Sequence, residues 1–371
     1  MPPINLLIKP VSGSCNMHCD YCFYCDEARN REKYSYGIMK ESTLHNVLKK
    51  ALYFAERSCT IAFQGGEPTL WGLQNYKKVL RYVEKYNKNK VQIDYALQTN
   101  GLNITDEWCE FFKINNFLVG LSIDGIEETH NKYRHQKNEM ASTYRLIERT
   151  AKKFDKYEVE YNILTVVNKE TATHIKDIYI DYRRHGWKYL QFIACLDPLE
   201  EERGVRDYSL SPQVYGEFLI QLFRLWYKDW KKGRQPYIRL FDNYIAILLG
   251  LIPEVCEQSG VCGIQNVIEA DGSIYPCDFY VLDTFWLGNL NSDSISAIYK
   301  KRDTIKFCVQ SKNLPPECKK CKWLQLCRGG CNRNRDRSGK NYFCKSYRLF
   351  FESCYKELKV VADFVNDSTT S

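Results

Sequence analysis

Apolar and polar residues follow two rhythms along residues 5–230. Short runs dense in β-branched and aromatic residues read as strands: NLLIKPV, CTIAFQ, VQIDYALQ, FLVGLSI, VEYNILTVV and YLQFIA. Between them lie stretches with helical spacing of apolar positions: Glu41–Glu56, Leu73–Lys85, Glu107–Ile114, Thr143–Lys156, Glu170–Arg183 and Pro212–Lys231. Six strand-then-helix units predict an α/β fold with a parallel sheet, either a partial barrel or a doubly wound sheet. The motif-like residues fall just after the strands, and parallel barrels place their sites at that C-terminal edge.

Both rhythms stop near residue 232. Lys232-Gly233-Arg234-Gln235-Pro236 reads as the start of a linker, and residues 256–344 combine turn residues with nine cysteines and little periodicity. A segment of that kind is held by metals more than by apolar burial. Helical spacing returns over Lys345–Val365, and the tail NDSTTS reads as disordered. The expected domains are 1–232, a linker 233–255, a cysteine-rich domain 256–344, and a helix with tail 345–371.

Composition sharpens this reading at one point, the cysteines. The longest apolar run, YIAILLGLIP, is too short to span a bilayer, and the first residues lack a basic segment before an apolar one. A cytoplasmic chain with no membrane partner is expected. There, 17 cysteines cannot serve mainly as disulfides, so metal ligation is their leading use. The six histidines form no HExxH pair, which makes any metal site thiolate-rich. The formal charge of +8 comes from 53 basic and 45 acidic residues. We read the basic residues as scattered, which argues against a nucleic-acid partner.

The stretch SCNMHCDYCFYCDE holds Cys15, Cys19, Cys22 and Cys25. Cys19, Cys22 and Cys25 would open a ferredoxin-type cluster motif, but the further C-x3-C-P step is missing. Cys15, Cys19 and Cys22 would instead give three thiolates to a four-iron cluster and leave one iron open. Farther on, Cys256, Cys262 and Cys277 are followed by Cys318, Cys321, Cys327, Cys331 and Cys344, with Cys308 outside the pattern. Four-cysteine sites with a C-x2-C step also suit zinc.

The C-x3-C-x-aromatic-C run, with Tyr21 as the aromatic, resembles the signature of the radical S-adenosylmethionine enzymes. FQGGEPTL, LQTNG and LSIDG follow in order at successive strand ends. The resemblance implies a partial (β/α)6 barrel whose open iron binds S-adenosylmethionine. It implies that Tyr21, Gly65, Gly66, Glu67, Gln98, Ser122, Arg134, Asn162 and Leu196 contact that cofactor, with Glu67 facing its ammonium and Ser122 and Arg134 its carboxylate.

CKKCKWLQLCRGGC is similar to the core of the SPASM extension, which carries two auxiliary four-iron clusters. By that resemblance Cys256, Cys262, Cys277 and Cys331 hold one cluster, and Cys318, Cys321, Cys327 and Cys344 the other. Cys25, Cys59, Cys109, Cys195, Cys308 and Cys354 are left over and read mostly as small buried hydrophobes.

YPCDFY, together with IKPVSGSCN, FQGGEPTLWGL and LQFIACLDPL, resembles the anaerobic sulfatase-maturating enzymes over nearly the whole chain. That implies oxidation of a sulfatase cysteine or serine to formylglycine. A 5′-deoxyadenosyl radical would take hydrogen from Cβ, Asp278 would serve as base, and the auxiliary clusters would take the second electron. Tyr24 and Gln64 are carried over as substrate-pocket residues. The implied partners are an unfolded sulfatase or a peptide with a Cys/Ser-x-Pro-x-Arg motif, and a reduced donor such as flavodoxin or ferredoxin. An oxygen-sensitive monomer is expected. Competing readings are a SPASM maturase that forms thioether or carbon–carbon crosslinks, and a non-catalytic iron–sulfur electron carrier.

Overall fold

Strict alternation carries the first strands inward on one face. Ile4, Leu6 and Ile8 are buried, as are Cys59, Ile61 and Phe63 on the strand Ser58–Phe63. The computed structural model describes residues 3–136 and 142–370 and divides them into two compact units interleaved along the chain. The first unit takes the segments up to Ser122, Arg134–Tyr161 and Ile264–Phe307; the second takes Ile123–Tyr133, Asn162–Gly263 and the chain from Cys308 onward.

In the first unit, Ile4–Ile8, Ser58–Phe63, Gln92–Thr99 and Phe117–Ser122 pair in parallel, with registers Ile4↔Cys59, Ile61↔Tyr95 and Gln98↔Gly120. Helices Glu41–Phe54 and Leu73–Tyr86 pack together, the former burying Leu44, Val47, Leu48, Ala51 and Leu52 at helical spacing. A two-stranded ribbon, Met17–Cys19 with Arg134–Gln136, sets Cys19 opposite Arg134. The sequence reading missed one addition. Asn266–Ile268 pairs in parallel with Ile4–Ile8 on the side away from Ser58–Phe63, and Ser273–Tyr275 then pairs antiparallel with it. Val267, Tyr275 and Val281 bury together there, with Leu7 against them. This hairpin leads the chain to Cys277 and Asp278.

In the second unit Tyr161–Val167, from Asn162 on, pairs in parallel with Tyr189–Ala194, which pairs with Tyr237–Ile238. Helix Pro212–Trp230 starts with Ser211 capping the Val214 amide and Pro212 in its first turn. It packs along helix Cys344–Thr370 through Phe223 against Phe350 and Trp230 against Phe364.

Several boundaries differ from expectation. The stretch 233–255 is not a bare linker, because helix Arg239–Leu248 buries Phe241 and Tyr244 against Phe223 and Phe350. Glu170–Arg183 divides at His174 into Lys169–Thr173 and Ile175–Arg184, where Thr173 and His174 side chains bond back to helical carbonyls. The tail stays helical through Thr370, with the Ser368 hydroxyl donating to the Phe364 carbonyl; Ser371 lies outside the described residues. The interleaved units also cut across the expected domain boundaries, since the hairpin from the cysteine-rich segment joins the N-terminal sheet. No helix among the described residues is long and apolar enough to cross a membrane.

Candidate active site

Two loops at the strand ends of the first unit meet backbone to backbone. The Gly66 amide donates to the Ser12 carbonyl at 2.8 Å and the Glu67 amide to the Ser14 carbonyl at 2.7 Å. No side chain fits between them. A Cβ on Gly66 would lie 2.0 Å from the Ser14 carbonyl oxygen, and Gly65 adopts φ +115° with Ser12 and Lys9 against it. The cysteine loop is therefore set directly on the GGEP turn.

Glu67 is 1% exposed, and its carboxylate is already occupied. Oε1 accepts from the Thr69 amide at 3.0 Å, the Thr69 hydroxyl at 2.6 Å and the Thr99 hydroxyl at 2.8 Å; Oε2 accepts from the Asn100 amide at 2.7 Å. Burial raises its pKa, and these hydrogen bonds oppose the rise. Sequence reasoning aimed this side chain at a ligand ammonium. In the structure it ties the GGEP turn to the TNG turn, leaving only the second lone pair of Oε2 for a ligand. Thr99 and Asn100 are thus site residues the reading passed over, although both stand in the LQTNG motif beside the half-buried Gln98.

Asn100 also reaches the cysteines. Its Nδ2 lies 3.6 Å from Cys15 Sγ, which accepts from the Met17 amide at 3.4 Å as well. Burial pushes the free Cys15 thiol up to about 11, whereas a hydrogen bond from Cys25 pulls Cys22 down to about 6. Cys22 thus has both Cys15 and Cys25 close by, and Cys19 sits in the ribbon opposite Arg134. Arg134 Nη1 donates to the Tyr21 hydroxyl at 3.3 Å, and Ser122 closes its strand buried, at 9% exposure. N–H donors aimed at sulfur suit thiolates that ligate an iron–sulfur cluster. Among the described residues no three ligating side chains close on a single-ion position.

The base expected from sequence lies in a compact hydrogen-bonded group. Tyr24 Oη donates to Asp278 Oδ2 at 2.7 Å; Gln64 Nε2 reaches the same oxygen at 3.1 Å and Tyr24 Oη at 2.6 Å. Tyr24 comes from the helix Phe23–Arg29 that follows Cys22, Gln64 from the end of Ser58–Phe63, and Asp278 from the hairpin. Asp278 is 8% exposed, and its Oδ1 is buried with no hydrogen-bond donor. Burial raises its pKa, against the pull of Lys9 and the Tyr24 hydrogen bond.

Below this group lies a buried ionic network that the sequence did not announce. Lys9 Nζ stands 3.1 Å from Glu269, 3.8 Å from Glu27 and 4.6 Å from the Tyr24 ring centroid; Arg31 pairs with Glu269 at 2.9 Å. Burial alone would lower Lys9, but the Glu269, Glu27 and Asp278 carboxylates raise it. Glu27 Oε1 also accepts from the Val281 amide at 3.1 Å, which fastens the Tyr24 helix to the turn bearing Asp278. The only sequence signal was a lysine closing an apolar strand.

The second unit holds the other expected residues. Cys318, Cys321, Cys327 and Cys344 line one cavity of about 410 Å³ with Trp323 and Tyr347, room that fits a four-thiolate cluster. Cys256, Cys262 and Cys331 lie close enough to act on one another electrostatically, while Cys277 belongs to the first unit. Asn162, second residue of Tyr161–Val167, is half-buried, and Leu196 follows the Tyr189–Ala194 strand. Asp124 is structural: its Oδ1 accepts from the Val166 amide and its own amide donates to His130 Nδ1. Cys59, Cys109, Cys195 and Cys354 are buried, whereas Cys25 and Cys308 are only partly so.

Comparison with known proteins shows the family. The Radical SAM superfamily model matches residues 10–181, and the iron-sulfur cluster-binding SPASM domain matches residues 261–322. The chain is 45% identical over 367 residues, 98% of each chain, to a cysteine-type anaerobic sulfatase-maturating enzyme of Clostridium novyi (strain NT). It is 31% identical over 372 residues to a serine-type anaerobic sulfatase-maturating enzyme of Bacteroides thetaiotaomicron, covering 94% of this chain and 89% of that one. The solved structure of native anSMEcpe with bound AdoMet and Cp18Cys peptide superposes with a TM-score of 0.92 at 44% identity, covering 98% of this chain and 100% of that one.

Proposed function

We propose, from the premise that the chain belongs to the anaerobic sulfatase-maturating enzymes of the radical SAM superfamily, that it oxidises a sulfatase cysteine to formylglycine. Cysteine is favoured over serine because identity is 45% to a cysteine-type relative and 31% to a serine-type one. The carrying observation is the Tyr24–Gln64–Asp278 group. Tyr24 and Gln64 donate to Oδ2 and fix the carboxylate plane, and Oδ1 is left with a lone pair for the substrate thiol proton.

S-adenosylmethionine on its cluster supplies, when bound, the radical that takes hydrogen from Cβ, and the auxiliary clusters supply a sink for the remaining electron. Cys15, Cys19 and Cys22 hold the first cluster. Gly65 and Gly66 offer backbone to the cofactor, Glu67 locks the turns that shape its seat, and Ser122 and Arg134 meet its carboxylate, a guanidinium being suited to donate two parallel bonds. Tyr21 orients Arg134, and Gln98 borders the same strand ends. Cys318, Cys321, Cys327 and Cys344 hold one auxiliary cluster, and Cys256, Cys262 and Cys331 serve the other. Asn162, Leu196 and Cys277 keep the roles implied by resemblance. The functional segments are 1–232 and 256–344, within which both family models match. The partners are a peptide with a Cys-x-Pro-x-Arg motif and a reduced flavodoxin or ferredoxin, serving a cytoplasmic monomer.

The test is anaerobic incubation of the reconstituted enzyme with such a peptide, S-adenosylmethionine and dithionite. The expected product is a peptide aldehyde that forms a hydrazone, read by mass. A crosslinked peptide that forms no hydrazone would instead favour the thioether or carbon–carbon chemistry.

The ligand register has its own test. Cys25→Ser should keep 5′-deoxyadenosine formation within roughly threefold, because a serine hydroxyl can still donate to Cys22. Cys15→Ser should abolish it. The reverse outcome would assign Cys19, Cys22 and Cys25 to the cluster.

A further inference from the structure

The basic residues are not scattered. Residues 317–348 hold ten Lys and Arg against two acidic residues, a net +8 that equals the formal charge of the whole 371-residue chain. The remainder of the protein is balanced. All four cysteines of the 410 Å³ cavity, Cys318, Cys321, Cys327 and Cys344, belong to this one segment.

The cations divide by role. Arg335 donates to the carbonyls of Ser311, Gly329 and Gly330, and Arg333 to that of Asp197, so both are committed to the fold. Lys319, Lys320, Lys322, Lys345 and Arg348 are exposed. Lys320, Lys322, Lys340 and Arg348 line the cavity, with Glu317 as its one acidic lining residue. Lys340 pairs with Glu317 at 3.1 Å and Lys322 lies 3.6 Å from Glu352, while Lys319 and Lys320 are the two residues between Cys318 and Cys321. Each of these pairs largely cancels its own two charges at a distance, so Lys319, Lys320, Lys345 and Arg348 contribute most of the field of the patch.

We propose that the exposed lysines around this cavity, Lys319 and Lys320 foremost, form the docking surface for an acidic one-electron carrier protein. The inference rests on the proposed function and deepens it. S-adenosylmethionine cleavage takes up one electron and the substrate later releases one, so the first cluster must be primed from outside, and a one-electron carrier docked at the enzyme can supply that electron or collect the one released. In that exchange no bond forms or breaks: the cluster loses one electron and the carrier gains it, or the reverse. Electron-transfer partners meet over small, charged, short-lived interfaces. A single-sign field steers such encounters and raises association rates by about 10–10³ at low salt. A duplex nucleic acid would also be drawn to positive charge, but it gives no reason for the charge to encircle four thiolates.

The experiment uses the reconstituted holoenzyme and a purified acidic flavodoxin, with association followed by biolayer interferometry at 50 and 500 mM salt. Wild type should bind at low salt and lose about tenfold or more at high salt. Lys319→Glu/Lys320→Glu/Lys322→Glu should bind at least about tenfold more weakly at 50 mM. Iron content and electron paramagnetic resonance report whether the clusters survive the change, and dithionite-driven formylglycine formation per iron reports the chemistry without a docking surface. Lys88→Glu/Lys90→Glu, a charge change elsewhere, should bind as wild type. Equal flavodoxin binding by the triple variant overturns the proposal, as does tighter binding of a 20-base-pair DNA duplex than of flavodoxin. Loss of dithionite-driven product in wild type would instead count against the proposed function. Should the triple variant lose iron, Lys319→Gln/Lys320→Gln is read in its place against the same criteria.

Discussion

Asp278→Asn should leave S-adenosylmethionine cleavage intact and lower formylglycine formation by about 10²–10⁴-fold, the usual worth of a positioned general base. The substitution is close to isosteric. Its amide oxygen can still accept from Tyr24, and the hairpin that carries it is anchored elsewhere, by Asn266–Ile268 on Ile4–Ile8 and by Glu27 on the Val281 amide. What is lost is the anionic oxygen, and with it the ability to take a thiol proton. The signature is uncoupling: 5′-deoxyadenosine accumulates while aldehyde does not, at unchanged iron content. Tyr24→Phe should fall between the two proteins, since Gln64 still holds Oδ2. Full aldehyde yield from Asp278→Asn would remove it from the mechanism.

Gly66→Ala should be as damaging by a different route. The new Cβ would meet the Ser14 carbonyl oxygen at 2.0 Å and the Ser14 and Gly13 carbonyl carbons at 2.5 and 2.7 Å. These are backbone atoms and cannot swing aside, so the loop leading to Cys15 must move. Overpacking costs typically about 1–3 kcal/mol, and a backbone clash belongs at the upper end. About 3 kcal/mol corresponds to a loss of roughly a hundredfold in occupancy of the competent loop geometry. The expected result is loss of the S-adenosylmethionine-dependent spectral change and of 5′-deoxyadenosine. Gly13→Ala is the matched control: nothing lies within 4 Å of a Cβ there, and its activity should stay near wild type. Equal cleavage by both variants would show that the loops are not held as closely as their hydrogen bonds indicate.

Much of this architecture was legible because it rests on local pattern. The strands of the parallel sheet alternate cleanly, and the GGEP, TNG and cysteine motifs stand at their ends, so order along the chain translated into adjacency. The Tyr24–Gln64–Asp278 group was named residue by residue, although its members lie 40 to 254 positions apart. That assignment came from motif resemblance, since no periodicity could have joined them. The hairpin that makes the group possible was invisible. Its strands are three residues each, too short to show a period, and they sit among cysteines that suggested irregular structure. Lys9, Glu27, Arg31 and Glu269 were missed because charge in a sequence reads as surface. Here two cations and the facing carboxylates neutralise one another inside. Glu67 was named from its motif, which does not say that Thr69, Thr99 and the Asn100 amide take up most of its hydrogen bonds. The basic cluster was legible throughout; averaging charge over the full chain concealed it.

The parallel pairing of Ile4–Ile8 with Asn266–Ile268 also fixes a schedule. The Asn266 side chain donates to the Asn5 carbonyl across 261 positions of sequence. At a synthesis rate of about 5–20 residues per second, the first strand waits roughly 10–50 s for that neighbour. Until then one edge of the first strand is bare, and contacts of such long range make for slow closure. The cysteine loop and the GGEP turn, by contrast, are both on the ribosome's exit side within the first 67 residues. The cysteine loop and its GGEP seat can therefore be assembled well before Asp278, the carboxylate proposed as the base, arrives.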